Sequence, residues 1–510
     1  MSRVYSWLSI VVMAAVTGCA TLPPPADRTP TFALSDTAST RLGRAVNPVV
    51  DAHAGKIGVY SLADPRDAFA ARVLLAGAAE SSLDVQYYIW NGDQAGYLMF
   101  EAIWQAAQRG VRVRVLLDDH NTGGLDPTLA ALDAHPNIEV RLYNPMVERN
   151  VRAFNFITDF RRANRRMHNK SFTADHLVSI VGGRNIGDEY FGAGSGAIFV
   201  DMDVLTVGPV VGEVATEFDL YWNSASAYAA APFVESSGAR FDLEARFASI
   251  RADPASRAYI DAVKDRSYVV DLRNIDLEWT TGRAVYDDPA KTLDYSGRTD
   301  ILLFPSLLRA MGRPDKSFDL ISPYLVPGDG GTAALVALAQ EGVRIRILTN
   351  SLASSDEGVV QAGYAKRRLD LLRAGVVLYE LRPDAIQDAL KRKHSSWSSA
   401  STGLHAKTFA VDRRRVFVGS FNFDQRSAHI NTEMGLILDS PTLSTKLSQA
   451  FDTVIPKVSY EVRLGPTGQS IEWIERTDQG ELRHLVEPGT SWYQRMAVEI
   501  LSIMPIEWLL

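Results

Sequence analysis

Arg166-Met-His-Asn-Lys-Ser-Phe-Thr-Ala-Asp175, followed by Gly182-Gly-Arg-Asn185, has a second copy in the chain: Leu404-His-Ala-Lys-Thr-Phe-Ala-Val-Asp412, followed by Gly419-Ser-Phe-Asn422. In both copies His and Lys are two apart, Asp lies five beyond Lys, and a Gly-small-x-Asn turn begins seven beyond Asp. A lone His-x-Lys carries no information, whereas six matched positions repeated at one spacing point to a shared chemical task. On an extended strand the period of two places His168 and Lys170 on one face, and His405 and Lys407 likewise. Asp175 and Asp412 fall at the opposite parity to the lysines, which favours a structural role over phosphate contact.

The repeat extends upstream. Leu83-Asp-Val-Gln86 is matched by Phe318-Asp-Leu-Ile321, and Gly110-Val-Arg-Val-Arg-Val-Leu116 by Gly342-Val-Arg-Ile-Arg-Ile-Leu348. Helical apolar spacing alternates with these strand-like runs, the pattern of an α/β lobe with a mixed, mostly parallel sheet flanked by helices. The expected architecture is two duplicated lobes with one active site at a pseudo-twofold interface. The chain divides as 1–19 signal peptide, 20–55 Pro/Thr/Ala-rich tether, 56–222 first lobe, 223–298 connecting insertion, 299–455 second lobe, and 456–510 a C-terminal strand pair with an amphipathic tail.

If the lobes meet about that axis, two lysines and the carboxamides of Asn185 and Asn422 form a cradle for an oxyanionic phosphoryl group. Two imidazoles on opposite sides of the phosphorus permit in-line displacement, one attacking while the other protonates the leaving alkoxide. A carboxylate on the far ring nitrogen fixes the tautomer. The candidates are Asp203, in Val200-Asp-Met-Asp-Val-Leu, and Glu433, in Asn431-Thr-Glu-Met-Gly.

These paired motifs resemble the HKD motifs of the phospholipase D superfamily. Within it, Gly182-Gly-Arg-Asn-Ile-Gly-Asp-Glu-Tyr-Phe191 and Asn422-Phe-Asp-Gln-Arg-Ser-Ala-His-Ile-Asn-Thr-Glu433 are similar to bacterial cardiolipin synthases of the C type. The resemblance runs from about residue 70 to the C-terminus and implies His168 as nucleophile and His405 as general acid. It further implies that Lys170, Lys407, Asn185 and Asn422 hold phosphate, that Asp203 and Glu433 orient the histidines, with Asp203 paired to His168, and that the product is cardiolipin. No metal or other cofactor is expected, since the lysines carry the charge a metal would supply. Hydrolysis by water to phosphatidic acid stays open as an alternative, as do a metal-independent nuclease and a noncatalytic lipid-binding lipoprotein.

Composition narrows these. The chain has 510 residues, 46% hydrophobic and 22% charged, and a net charge of −7, which disfavours nucleic acid as a partner. The single cysteine, Cys19, ends Val16-Thr-Gly-Cys19 after an apolar run too short to span a bilayer. This resembles the lipobox of bacterial lipoproteins. It implies acylation of Cys19 and anchoring in the cell envelope, at the outer membrane or the periplasmic face. Basic clusters flank both motifs, Arg161-Arg162 and Arg165-Arg166, Lys391 to His394, and Arg413 to Arg415, and suit phospholipid headgroups or an anionic membrane surface. The other histidines have no matching partners, and Tyr87-Tyr-Ile-Trp90 and Asp118-Asp119 are read as core packing and strand-end turn chemistry.

Overall fold

The computed structural model describes residues 22, 29–194, 196–234, 241–271, 274–355, 357–385 and 402–510. The signal stretch, Cys19 and the Lys391-to-His394 cluster lie outside the described residues. The sequence repeat is an architectural repeat: a nine-stranded sheet in the first lobe faces a ten-stranded sheet in the second. At the centre of the first, Ser82–Ile89, Arg112–Asn121 and Ile138–Tyr143 run parallel, connected by helices Gln94–Gln108 and Asp126–Asp133. Ser317–Ile321, Arg344–Asn350 and Val377–Leu381 repeat this in the second, with helix Gly328–Gln340 as the first crossover. Leu83, Val85, Val113 and Val140, and their counterparts Phe318, Leu320, Ile345 and Leu378, are buried between sheet and helices.

Within the two large sheets, parallel pairing among the described residues is confined to those central strands, which corrects the expectation of mostly parallel sheets. Each strand after an HKD lysine, Ser171–Ala174 or Thr408–Val411, runs antiparallel to the central strand beside it and turns straight back into Val178–Gly182 or Arg415–Gly419. The reversals place Asp175 and His176 at φ 51° and 57°, and Asp412 and Arg413 at 55° and 53°. Positive φ at two successive turn residues is the hairpin geometry that matches sheet twist, and a turn so tight joins only antiparallel neighbours. The left-handed backbone costs about 1–2 kcal/mol per non-glycine residue. The motif carboxylates offset this by accepting backbone N–H groups at the start of the central strand. Asp175 Oδ1 accepts from Ser81 and Ser82 at 2.7 and 3.0 Å, and Asp412 Oδ1 from Lys316 and Ser317 at 2.7 and 2.9 Å. Both motif aspartates therefore sit at the sheet edge opposite the site, in keeping with the parity argument.

Three boundaries change. Residues 29–52 are not an extended spacer: Thr31 accepts the Trp222 indole N–H at 2.8 Å, its carbonyl accepts from Arg114 at 2.9 Å, and Arg41–Asp51 forms a helix capped by Thr40. The indole and guanidinium of the first lobe need those partners because they are buried. The stretch 223–298 is shared between the lobes rather than inserted. Ala227–Ala229 and Glu278–Thr280 form both edges of the first sheet, and Gly282–Tyr286 is an edge of the second. The C-terminal strand pair Ile471–Thr477 and Gly480–His484 is joined by Ser459–Leu464, which docks the whole set on Val377–Leu381.

The lobes meet through an apolar layer in which Val181 and Val204 of the first sheet pack with Val418 and Leu436 of the second. Two backbone crossings tie them further. Ile198–Val200 pairs in parallel with Thr402–Leu404, and Met167 bridges to Thr432.

Candidate active site

The two crossings stand immediately beside the two histidines. His168 and Lys170 occupy the extended stretch leading into Ser171–Ala174, and the His168 N–H donates to Thr432 O at 2.8 Å. His405 and Lys407 occupy the equivalent stretch before Thr408–Val411, and the His405 N–H donates to Val200 O at 2.8 Å. Each imidazole is thereby presented at the seam. Lys170 Nζ donates to His168 O and Lys407 Nζ to His405 O, both at 2.5 Å, so the lysines share the face of their histidines. All four side chains are buried.

The orienting carboxylates come from the opposite lobe. His168 Nδ1 lies 2.9 Å from Glu433 Oε2, and His405 Nδ1 lies 2.5 Å from Asp201 Oδ2. In both rings this leaves Nε2 for the reacting atoms, because Nδ1–H is directed to the carboxylate. The sequence assignment of Asp203 is thus corrected. Asp203 is buried in a structural ion pair, accepting from Arg72 Nη2 at 2.9 Å with Arg184 Nη1 at 3.3 Å. Asp201 and Asp203 share strand parity, so periodicity cannot separate them, but register does. Gly182 pairs with Asp203 and Gly419 with Gly435, which makes Asp201-Met202 the counterpart of Glu433-Met434. That matched dipeptide is the sequence signal that identifies Asp201.

The glycine turns differ to suit the two acids. A side chain at Gly183 collides with the Asp201 carboxylate. Its counterpart Ser420 instead donates its hydroxyl to Glu433, which also accepts from Ser427 Oγ at 2.8 Å. Asp287, from the shared linker, holds the Glu433 backbone by accepting its N–H at 2.8 Å. Asn185 is fixed by the Ile89 N–H and Tyr190 hydroxyl, both at 3.1 Å. Asn422 Oδ1 is buried and has no hydrogen-bond partner among the described residues, which leaves one end of that carboxamide for a ligand. A half-turn of the amide presents its NH2 there.

Aromatic rings close the walls. Tyr88 stands edge-on to His168 at 5.0 Å, and Tyr190 to His405 at 5.0 Å. Tyr87 and Trp90 are core residues, as read from sequence; Tyr88 between them belongs to the site. Asp118 is more than turn chemistry, since it accepts from the Arg166 guanidinium at 2.8 Å and the Met167 N–H at 2.8 Å and so sets the approach of the His168 stretch.

Burial and two clustered ammonium groups dominate the electrostatics. His168 is held well below its ordinary value by desolvation and then by Lys170 and Lys407. Desolvation and Lys407 likewise lower His405 to about 4, against the opposing pull of Asp201. Lys170 is itself pushed well below the usual lysine range by burial. The two carboxylates diverge. Burial lifts Glu433 to about 7, whereas His405, Lys407 and Arg184 outweigh burial and hold Asp201 near about 2. A phosphodiester anion bound between the lysines offsets their charge and raises both imidazoles, more so for His405, whose acid stays ionised.

Residues 74–222 and 307–455 match the family described as cardiolipin synthase, PLD-like domain. The chain belongs to this phospholipase D-like family, whose repeated unit coincides with the two lobes. The chain is 45% identical over 473 residues to cardiolipin synthase C of Escherichia coli (strain K12), covering 92% of this chain and 100% of that protein. It is 24% identical over 404 residues to the major cardiolipin synthase ClsA of Bacillus subtilis (strain 168), covering 78% and 70% respectively. The crystal structure of phosphatidylserine synthase from Haemophilus influenzae Rd KW20 shares the fold, with a TM-score of 0.53 and 14% identity over 82% of this chain and 91% of that one.

Proposed function

We propose that the chain is a phosphatidyltransferase that makes cardiolipin from two phospholipids through a phosphohistidine. The observation that carries the chemistry is the pair of buried imidazoles, each oriented through Nδ1 by a carboxylate of the other lobe. His168 Nε2 attacks the phosphorus of the donor, and His405 Nε2–H protonates the departing headgroup oxygen. The phosphorus is then bonded to His168 Nε2, and the donor headgroup alcohol leaves. In the second step His405 takes the proton from a glycerol hydroxyl of phosphatidylglycerol, whose oxygen displaces His168. The assignment of roles rests on the acids. A group that must carry a proton into the transition state is best paired with the ionised Asp201, and a nucleophile that must be neutral with the less acidic Glu433. Lys170 and Lys407 hold the non-bridging oxygens and stabilise the charge that gathers there.

Transfer, as opposed to hydrolysis, is supported by the full-length similarity to cardiolipin synthase C. Incubation with labelled phosphatidylglycerol tests it: labelled cardiolipin is expected, and phosphatidic acid without cardiolipin refutes it. Acylation of Cys19 is proposed to hold the enzyme on the cell-envelope membrane where its substrates lie, since two or more alkyl chains anchor a protein stably. Release of a Cys19→Ala variant from membranes in high salt is expected; full retention refutes the anchor.

A further inference from the structure

Two exposed apolar segments, far apart in sequence, converge beside the active site. The first is the run of short helices over residues 152–163 with Val151 before it, where Ile157 is 80% exposed and Val151 and Phe154 also face solvent. The second is the C-terminal tail, where Ile503 is 84% and Trp508 61% exposed. Arg426 joins them: its guanidinium donates to Asn164 O and Oδ1, both at 2.7 Å, and its N–H to Leu510 O at 2.8 Å. The next residue, Ser427, donates its hydroxyl to Glu433 at 2.8 Å, so the junction lies beside the acid that orients His168. Phe156 packs edge-on to His120 at 5.5 Å, at the end of a central strand, which fixes the first segment to the same rim.

Between the segments lies a cavity of about 500 Å3 lined by Phe160, Arg161, Arg165, Tyr295, His429 and Trp508. The guanidinium groups of Arg161 and Arg165 stand 4.5 and 4.9 Å from the centre of the Tyr295 ring. The neighbouring arginines are committed inward, Arg162 to Asp159 and Pro145 O and Arg166 to Asp118. Arg161 and Arg165 are the members of this basic run that line the cavity, with Arg165 also donating one guanidinium N–H to Lys291 O at 2.7 Å. Strongly exposed apolar side chains beside a cavity of aromatic rings and guanidinium groups suit the acyl region and headgroup phosphate of a bilayer.

We infer that this rim is a docking surface for the face of a bilayer carrying anionic phospholipid, with Arg161 and Arg165 taking a headgroup phosphate while Ile157, Ile503 and Trp508 enter the acyl boundary. The inference rests on the phosphatidyltransferase reading only in that the substrate resides in that bilayer. Docking here sets the site mouth against the membrane, so a headgroup can reach the two histidines without the whole lipid leaving it.

The full chain is bound to phosphatidylglycerol vesicles whose acyl chains carry bromine, and tryptophan fluorescence is read. Quenching is expected, with a component that Trp508→Phe removes and that both Ile157→Ser/Ile503→Ser and Arg161→Glu/Arg165→Glu abolish. The same double variants are expected to raise KM for vesicle substrate at least about tenfold, since each basic residue near anionic lipid is worth about 1 kcal/mol. Turnover of a monomeric short-chain phosphatidylglycerol stays within about twofold. Quenching that is unchanged in Trp508→Phe and in both double variants overturns the surface, as does equal quenching on brominated phosphatidylcholine vesicles. Loss of short-chain turnover in the double variants overturns it too, because the residues then serve catalysis. If the unsubstituted chain turns over neither substrate, the transferase reading fails while the quenching still decides the docking surface.

Discussion

Replacing Asp201 with Asn isolates the contribution of a cross-lobe carboxylate. The variant keeps the shape of the side chain but removes the ionised partner 2.5 Å from His405 Nδ1. A hydrogen bond to a charged group contributes about 1.5–3 kcal/mol, and the amide can also hold the wrong tautomer. Each 1.36 kcal/mol is about tenfold in rate, so a fall in kcat of about 10- to 1000-fold is expected. The pH profile carries the sign. Asp201 raises the His405 pKa against burial and Lys407, so its removal lowers that pKa and moves the alkaline limb of kcat to lower pH. The control is Asp203→Asn, which leaves Arg72 and Arg184 without a buried counter-charge. It should lower stability by about 3–5 kcal/mol, seen as a fall in Tm. Cardiolipin formation measured from pH 5 to 9, with Tm for each variant, separates them. A kcat within threefold for Asp201→Asn, or an alkaline limb that stays in place, rules out orientation of His405 by this carboxylate.

Lys170→Met removes the largest charge depressing His168, so the His168 pKa rises and the acid limb of kcat/KM moves to higher pH, with a loss of about 100- to 1000-fold at the optimum; an unmoved limb counts against the shared cradle. Gly183→Ser forces the Asp201 carboxylate away from His405 and should reduce kcat about tenfold or more, whereas Ser420→Gly, which removes one donor to Glu433 and the acceptor of the Met434 N–H but displaces no carboxylate, should cost less; steady-state kinetics on both variants gives the order. Asp175→Ala leaves the Ser81 and Ser82 N–H groups without their acceptor, so denaturant unfolding should show a loss of about 2–4 kcal/mol, while kcat per folded molecule stays within about threefold because the residue lies away from the phosphate.

The duplicated motif was legible because six positions recur at one spacing, and parity alone placed Asp175 and Asp412 outside the phosphate cradle. What sequence could not supply was everything decided between lobes. Glu433 reaches His168 across 265 positions, and no local period reports a contact of that span. Asp201 and Asp203 cannot be told apart for the same reason: both face one way on an isolated strand, and only Asp203 is taken up by pairing with Gly182. The Pro/Thr/Ala composition of 20–55 suggested an extended spacer, yet Thr40 is an N-cap and Thr31 answers a buried indole and guanidinium, needs that arise only once the first lobe is folded. The stretch 223–298 lacks a chemical motif and was passed over as a connector, although Asp287 in it holds the backbone of the Glu433 that orients the nucleophile.

The exchanged carboxylates also bear on how the chain behaves before it is finished. A polypeptide in which only the first lobe has folded carries His168 without Glu433, Asp201 without His405, and one imidazole where two are needed. The second lobe alone is equally inert. Catalytic competence therefore appears in a single late step, when Met167 meets Thr432 and Ile198–Val200 meets Thr402–Leu404. A phosphatidyltransferase built in this way is inert towards phospholipid until its two halves have closed on each other. Neither half sets the acidity of its own histidine alone, for each carries charges that shift the other's.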